Sequence, residues 1–127
     1  MEPIGVLLGR LRALGLADRV TVACGDLFAP LAEIVDARPF DLIVANPPYI
    51  PTGQIAGLDR SVRDYEPIEA LDGGLDGLAL HRRILQEAAG RLTPVGRVYL
   101  EIAFDQAPAA LAMAEAIPGW TGARIIK

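Results

Sequence analysis

Apolar and polar positions change in a regular way along the chain, and the pattern predicts strands and helices in turn. Residues 40–45 are almost continuously apolar, which is typical of a strand buried on both faces of a parallel sheet. Residues 19–23 are rich in β-branched side chains and predict a strand, and residues 97–103 predict another. A further strand is expected to begin at residues 123–126, and helical periodicity predicts helices over residues 5–16, 78–92 and 106–117. This alternation favours an α/β fold with a parallel sheet.

The composition fits one globular domain over residues 1–127. The hydrophobic share is 52% and the charged share is 22%, which is unlike a disordered tail. No apolar run approaches the roughly 20 residues that span a bilayer, and no secretory signal is evident, so we expect a cytoplasmic protein. A net charge of −4 disfavours direct nucleic-acid binding, which needs clustered basic residues. Cys24 is the single cysteine, so we expect neither an internal disulfide nor a thiolate metal site. The oligomeric state is left open.

A long segment without periodicity follows the predicted strand at residues 40–45. Residues 50–76 contain several prolines, glycines and acidic side chains, and loops of that length in a small domain are usually functional or disordered. The tetrapeptide Asn46-Pro47-Pro48-Tyr49 connects the strand to this loop. Ligands of open α/β sheets bind beyond the carboxyl ends of strands. The tetrapeptide therefore stands where a binding site is expected.

The residue types of the tetrapeptide suit a planar group that carries an –NH2. Pro47 and Pro48 have no N–H, so the chain turns rigidly and leaves carbonyl oxygens free to accept hydrogen bonds. Asn46 adds another acceptor, and Tyr49 adds a flat face. Two acceptors for the N–H hydrogens of an amide would aim its nitrogen at an incoming methyl carbon, and such orientation contributes about 7–11 kcal/mol at best. The same residues are also compatible with a plain turn, because Asn and Pro are common in turns.

Several longer segments resemble the release-factor glutamine methyltransferase family, the HemK/PrmC group. The matching segments are LGLADRV at 14–20, GDLF at 25–28, FDLIVANPPYIP at 40–51, VRDYEP at 62–67, ALDGGLDGL at 70–78 and RVYLEIAFDQ at 97–106. The resemblance covers nearly the whole chain. The combination of Asn-Pro-Pro-Tyr with Tyr-Glu-Pro and Leu-Asp-Gly-Gly separates this family from DNA adenine methyltransferases, which share only a similar tetrapeptide.

The resemblance implies a class I S-adenosylmethionine-dependent methyltransferase (Rossmann-like) fold that is partial and lacks the first two strands. The chain would then be the C-terminal part of a methyltransferase catalytic domain, truncated at its N-terminus. The implied cofactor is S-adenosyl-L-methionine, and no metal is implied. The implied partner is a peptide chain release factor, methylated on the side-chain amide nitrogen of a glutamine in a Gly-Gly-Gln motif.

The resemblance also implies roles for individual residues. Asn46 and Pro47 would be catalytic, because they would orient the substrate amide. The cofactor would be contacted by Asn46 together with Asp26 and Leu27, the last two in the adenine pocket. The complete substrate pocket would be formed by Asn46, Pro47, Pro48 and Tyr49.

Two other functions stay open at this point. One is an adenine N6 methyltransferase that acts on DNA or RNA. The other is a truncated, inactive domain that does not bind the cofactor. The second alternative arises because the matching segments contain neither the family's glycine-rich loop after its first strand nor the acidic residue at the end of its second strand.

Overall fold

A computed structural model describes residues 4–34, 38–58 and 67–127 of the chain. The chain divides into two units, Met1–Ala37 and Arg38–Lys127. Unit 1 contains helix α1 (Ile4–Ala13) and the 3-10 helix η1 (Ala29–Glu33). Unit 2 contains, in chain order, strand β1 (Phe40–Ala45), the 3-10 helices η2 (Thr52–Gly57) and η3 (Ile68–Ala70), helix α2 (Ala79–Ala88), strand β2 (Leu92–Leu100) and helix α3 (Ala107–Ala116).

Helix α1 ends at Ala13, two residues before a glycine. Gly15 has a φ of +70°, a conformation that glycine adopts without steric cost. The N–H of Leu16 donates to the carbonyl of Leu11 at 2.9 Å, and the N–H of Gly15 donates to that of Arg12 at 3.1 Å. These two bonds satisfy carbonyls that the helix end leaves open. The helix is therefore shorter than the predicted span of residues 5–16.

The predicted strand at residues 19–23 is wrong. The backbone N–H groups of Arg19 and Val20 both donate to the carbonyl of Leu16, at 2.9 and 3.1 Å, so the chain turns where extension was expected. Residues 20–24 have no regular structure and pair with no strand among the described residues. Because a strand needs a neighbour to bond its backbone groups, β-branched residues alone do not produce one.

Unit 2 is built on a parallel pair of strands, which confirms the α/β class. Strand β1 pairs with β2 in a register that sets Leu42 opposite Arg97 and Ala45 opposite Leu100. Helix α2 lies between the two strands in the sequence, as a parallel connection requires, and it contacts α3. The structure is consistent with part of a methyltransferase fold.

Strand β2 begins five residues earlier than the pattern predicts, and α2 correspondingly ends at Ala88. Residues 94–96 lie within the strand, although proline and glycine are typical of turns. The register is irregular here, because Phe40 pairs with Leu92 whereas Leu42 pairs with Arg97. Pro94 has no N–H for a ladder hydrogen bond, which gives a physical reason for an interruption at this point.

The buried side chains of unit 2 come mainly from one helix, α2, and its flanks. In contrast, β1 is not buried on both faces: Leu42 is 55% exposed and Val44 is 70% exposed. Among the described residues β1 has only β2 as a neighbour, so the prediction of burial on both faces is wrong. The core among the described residues of this unit includes Leu78, Ile84, Leu85, Ala88, Ala110 and Ile117.

The C-terminal residues 121–127 have no regular structure and are exposed, so the predicted strand at residues 123–126 is also wrong. No described helix combines the length and the apolar character needed to cross a membrane. In the same residues, no group of three His, Cys, Asp or Glu side chains is arranged to hold a metal ion.

Candidate functional site

The pairing of β1 with β2 fixes where the tetrapeptide lies. Ala45 is opposite Leu100 at the end of the ladder, and the N–H of Glu101 donates to the carbonyl of Ala45 at 3.1 Å. Residues 46–49 follow at once, so they emerge beside residues 101–106 at the carboxyl edge of the sheet. This is the edge at which parallel sheets bind ligands.

The four tetrapeptide residues lie together and differ in exposure. Pro47 is buried, Pro48 and Tyr49 are half-buried, and Asn46 is exposed. No described residue hydrogen-bonds the side-chain amide of Asn46, and none donates to the carbonyl oxygens of Pro47 and Pro48. The motif therefore presents one side-chain amide and two backbone acceptors that are not engaged within the described part of the chain.

A small cavity lies beside the tetrapeptide. Its volume is about 200 Å³, which is below the roughly 300–1,000 Å³ of drug-sized pockets and suits a single side chain. Backbone hydrogen bonds hold residues 70–73 against residues 46–50. The N–H of Ile50 donates to the carbonyl of Leu71 at 3.2 Å, and the N–H of Gly73 donates to the carbonyl of Ile50 at 2.8 Å. The lining residues are Asn46, Pro47, Pro48, Tyr49, Ile50, Ala70 and Leu71.

Part of the predicted long loop is thus ordered around the site. Thr52 makes two hydrogen bonds within this loop. The N–H of Thr52 donates to the carbonyl of Gly74 at 2.8 Å, and the hydroxyl of Thr52 donates to the carboxylate of Asp72 at 2.6 Å. The hydroxyl of Thr52 and the N–H of Gly74 lower the pKa of Asp72 below its ordinary value of 3.8. Asp72 is therefore a charged acceptor that holds the loop. Residues 59–66, which include most of the Tyr-Glu-Pro segment, lie outside the described residues.

Gln106 connects the two loops at the carboxyl edge of the sheet. Its side-chain NH2 donates to the carbonyl of Tyr49 at 2.8 Å, and its side-chain oxygen accepts from the N–H of Ala103 at 2.8 Å. Gly77 lies against the same two groups, the Tyr49 carbonyl and the Gln106 amide. Sequence reasoning missed both residues, because nothing in a local pattern indicates a contact between residues 57 positions apart.

His81 is fully buried, as a structural histidine would be. Its Nε2 lies 2.7 Å from the carbonyl oxygen of Glu101. A carbonyl oxygen can only accept, so Nε2 carries the proton, and Nδ1 has no hydrogen-bond partner. Burial lowers the pKa of His81 below 6.5, against the opposing effects of the Glu101 carbonyl and of Asp76. The carboxylate of Glu101 accepts from the hydroxyl of Tyr49 at 3.4 Å.

Asp76 marks the entry to helix α2. Its carboxylate accepts from the N–H of Leu78 at 2.9 Å and forms an ion pair with Arg82 at 2.8 Å. These two interactions, the Leu78 bond first, lower the pKa of Asp76 below 3.8. The helix that carries His81 is therefore held at its start by a charged residue.

The other predicted cofactor residues belong to unit 1. Asp26 is exposed, and its carbonyl accepts from the N–H of Ala29 at 3.0 Å. Leu27 is half-buried and has a φ of +50°, the one positive φ at a described non-glycine residue. A left-handed conformation costs roughly 1–2 kcal/mol for a residue with a Cβ. Strained residues of this kind cluster at functional sites, so the leucine is compatible with a binding role.

A larger cleft of about 540 Å³ lies elsewhere in unit 2. It is lined by His81, by β2 and α3, and by residues 120–126, and it contains none of the predicted site residues. Trp120 is one of its lining residues, and its indole N–H donates to the carbonyl of Leu85 at 3.0 Å. Size alone therefore does not identify the candidate site, which is recognised by its unengaged polar groups.

No family model matches this chain, but it is similar to several curated glutamine methyltransferases. A release factor glutamine methyltransferase of Moorella thermoacetica is 46% identical over 115 residues, which are 91% of this chain and 39% of that protein. One of Geobacter sulfurreducens is 43% identical over 112 residues, 88% of this chain and 38% of that protein. A ribosomal protein uL3 glutamine methyltransferase of Bradyrhizobium diazoefficiens is 48% identical over 88 residues, 69% of this chain and 26% of that protein.

These relatives share one chemistry, since each name describes a glutamine methyltransferase and none refers to adenine. The chain spans about two fifths of the length of the first two. Identity of this level over most of the chain shows that it belongs to the release factor glutamine methyltransferase family.

Proposed function

We propose that this chain carries the amide-binding part of an enzyme that methylates the side-chain nitrogen of a glutamine in a protein, with a peptide chain release factor as substrate. One observation carries the proposal: the unengaged amide of Asn46 and the unengaged carbonyls of Pro47 and Pro48 border a cavity of side-chain size. The similarity to glutamine methyltransferases supports it.

Each residue of the tetrapeptide has a part in binding the amide. The side-chain oxygen of Asn46 and the carbonyl of Pro47 would accept the two N–H hydrogens of the glutamine. Pro48 would keep the turn rigid, and the half-buried ring of Tyr49 would pack on the plane of the amide. Because the amide lone pair is delocalised, a glutamine nitrogen is a poor nucleophile until it is oriented in this way. As the nitrogen bonds to the methyl carbon, the carbon–sulfur bond of the donor would break, the neutral thioether would leave, and the nitrogen would release one proton to solvent.

The proposed methyl donor is S-adenosyl-L-methionine. When bound, it supplies a sulfonium methyl group that is open to nucleophilic attack. Asn46 fits a role beside it, because its amide is exposed and offers both a donor and an acceptor. Leu27 fits an apolar contact with an adenine plane, and Asp26 has an exposed side chain that could accept from an adenine amino group.

The proposal extends to the architecture. We take residues 1–127 as part of a class I, Rossmann-like methyltransferase catalytic domain. The parallel pairing of β1 with β2, with α2 between them in sequence, supports this assignment. We expect the enzyme to act in the cytoplasm, where release factors work.

The test is methyl transfer by the purified 127-residue chain. We would incubate it with S-adenosylmethionine carrying an isotopic methyl label and either an intact release factor or a Gly-Gly-Gln peptide. Mass spectrometry would locate the label. We expect one added methyl on the glutamine, no transfer to a peptide with glutamate in its place, and a loss of roughly 10²-fold or more for Asn46→Ala.

Gln54→Ala is the matched control for Asn46→Ala. Gln54 lies on η2, and this change also removes an exposed side-chain amide, but one outside the lining of the cavity. Label on adenine in an added DNA duplex would replace the proposed function with the first alternative. No transfer by a folded chain that also fails to bind the cofactor in calorimetry would establish the inactive domain instead.

A further inference from the structure

Two polar side chains are buried in the described part of unit 2, and both serve the same edge of the sheet. His81 is 0% exposed and Gln106 is 8% exposed. Each donates a hydrogen bond to a backbone carbonyl just beyond a strand, His81 to that of Glu101 and Gln106 to that of Tyr49. Burial of a polar group is costly without a partner, so these contacts decide how the two loops are placed.

Gln106 uses both halves of its side-chain amide. It donates to the loop after β1 through Tyr49 and accepts from the loop after β2 through Ala103, each at 2.8 Å. Its own backbone is fixed at the start of α3, where its carbonyl accepts from the N–H of Ala110 at 2.8 Å. One rigidly held side chain therefore joins loops that follow two neighbouring strands.

The tetrapeptide needs such an anchor because of its own composition. Pro47 and Pro48 have no N–H and cannot tie the turn to the rest of unit 2 by donating hydrogen bonds. After these prolines, the first backbone groups that form hydrogen bonds are the carbonyl of Tyr49 and the N–H of Ile50. The Tyr49 carbonyl accepts from Gln106, and the Ile50 N–H donates to the carbonyl of Leu71. The direction of the two free prolyl carbonyls is therefore set by how residues 49 and 50 are held.

We propose that Gln106 is a positioning residue, which aims the carbonyl of Pro47 and the ring of Tyr49 at the substrate amide by holding the Tyr49 carbonyl. The effect on methyl transfer rests on the proposed function, whereas the hydrogen bond and its effect on the turn do not. Gln106 does not line the cavity and has no part in contacting substrate.

The test compares Gln106→Glu with Gln86→Glu in the full chain. At neutral pH a carboxylate at position 106 can still accept from Ala103 but has no hydrogen for Tyr49, and protonation at lower pH restores a donor. Gln86 lies on the exposed side of α2, so the same change there adds the charge without touching the site. We expect kcat for Gln106→Glu to fall roughly 10- to 100-fold at neutral pH, with the deficit shrinking as the pH is lowered.

An NMR measurement keeps the proposal testable whatever the activity. In wild-type chain we expect a scalar coupling across the hydrogen bond between the Gln106 side-chain nitrogen and the Tyr49 carbonyl carbon. We also expect Gln106→Glu, but not Gln86→Glu, to shift the carbonyl carbons of Pro47, Pro48 and Tyr49.

The outcomes separate the two proposals. A wild-type chain that transfers no methyl group but shows the coupling and the shifts overturns the proposed function and keeps the anchor. Absence of the coupling in a folded chain overturns the anchor. Equal kcat and equal pH profiles for Gln106→Glu and wild type overturn the positioning role. If Gln106→Glu does not fold, Gln106→Met, which fills the space without donating, replaces it in both measurements.

Discussion

The backbone of Gly77 lies directly against the carbonyl oxygen of Tyr49, 28 positions earlier in the sequence. Gly77 has a φ of +78°, and a Cβ built on it would meet both that oxygen and the side-chain nitrogen of Gln106. The close approach is possible because glycine has no side chain. The segment that leads into α2 can therefore pack on the tetrapeptide and cover the hydrogen bond that holds it.

Gly77→Ala is expected to lower the free energy of unfolding by more than about 1–2 kcal/mol, the cost of a left-handed alanine alone, because the new methyl group also displaces Tyr49 and Gln106. Urea unfolding followed by circular dichroism measures the change. Gly90→Ala is the control, since a Cβ there meets nothing within 4 Å and the φ is not positive. Equal stability of the two variants would contradict the close approach.

Two leucines near the start of α2 provide a matched pair for the core. Leu78 is 1% exposed and Leu75 is 95% exposed. Leu78→Ala is expected to cost about 2–5 kcal/mol, since it removes buried methyl groups and leaves a cavity. Leu75→Ala is expected to change stability by less than about 0.5 kcal/mol. Thermal or urea unfolding of both variants checks this, and a similar loss at the two positions would argue against the observed packing.

The stability of the chain is expected to fall as the pH drops below about 6.5. His81, the only histidine, has its pKa lowered by burial in the folded state, whereas the unfolded chain takes up a proton at its ordinary value of 6.5. The unfolded state then binds more protons, so acid favours unfolding. Asp72 and Asp76, whose pKa values are also lowered, act in the same direction only below about 3.8.

Urea unfolding at several pH values between about 5 and 7.5 measures how the free energy of unfolding changes with pH. We call this change the slope, and the pH window lies above the range in which ordinary carboxyl groups titrate. His81→Gln removes the titrating group and keeps an N–H that can reach the Glu101 carbonyl. We expect the slope to be much smaller in this variant. A wild-type stability that does not change over the window would mean that His81 titrates normally and is not buried as described.

The exposed face of β1 is expected to promote association of the chain with itself. Leu42 and Val44 present apolar surface on a strand that has one neighbour in the described residues, and such surfaces pair or aggregate. Val44→Lys is expected to reduce concentration-dependent association in sedimentation velocity, with stability changed by less than about 0.5 kcal/mol. Leu75→Lys makes the same chemical change away from the sheet and should leave association as it is.

Local patterns in the sequence predicted much of the fold and part of the site. The strand at Phe40–Ala45 and the periodicity of α2 depend on neighbours within a few positions, and both were found. The tetrapeptide was singled out for the same reason, because two consecutive prolines impose a turn whatever surrounds them. Its roles in binding and catalysis remain predictions.

Other features were decided only by the tertiary structure. Residues 19–23 have strand-like side chains but no partner strand in the described residues, and β2 extends through Pro94 because β1 lies beside it. Val44 is exposed because no described segment covers that face of β1. The hydrogen bond from Gln106 to Tyr49, and the close approach of Gly77 to these two residues, join positions far apart in the chain. Backbone conformation is set locally by sterics, so a sequence indicates where the chain can turn or extend. Which polar group meets which carbonyl depends on how distant segments pack, and only the folded chain determines that.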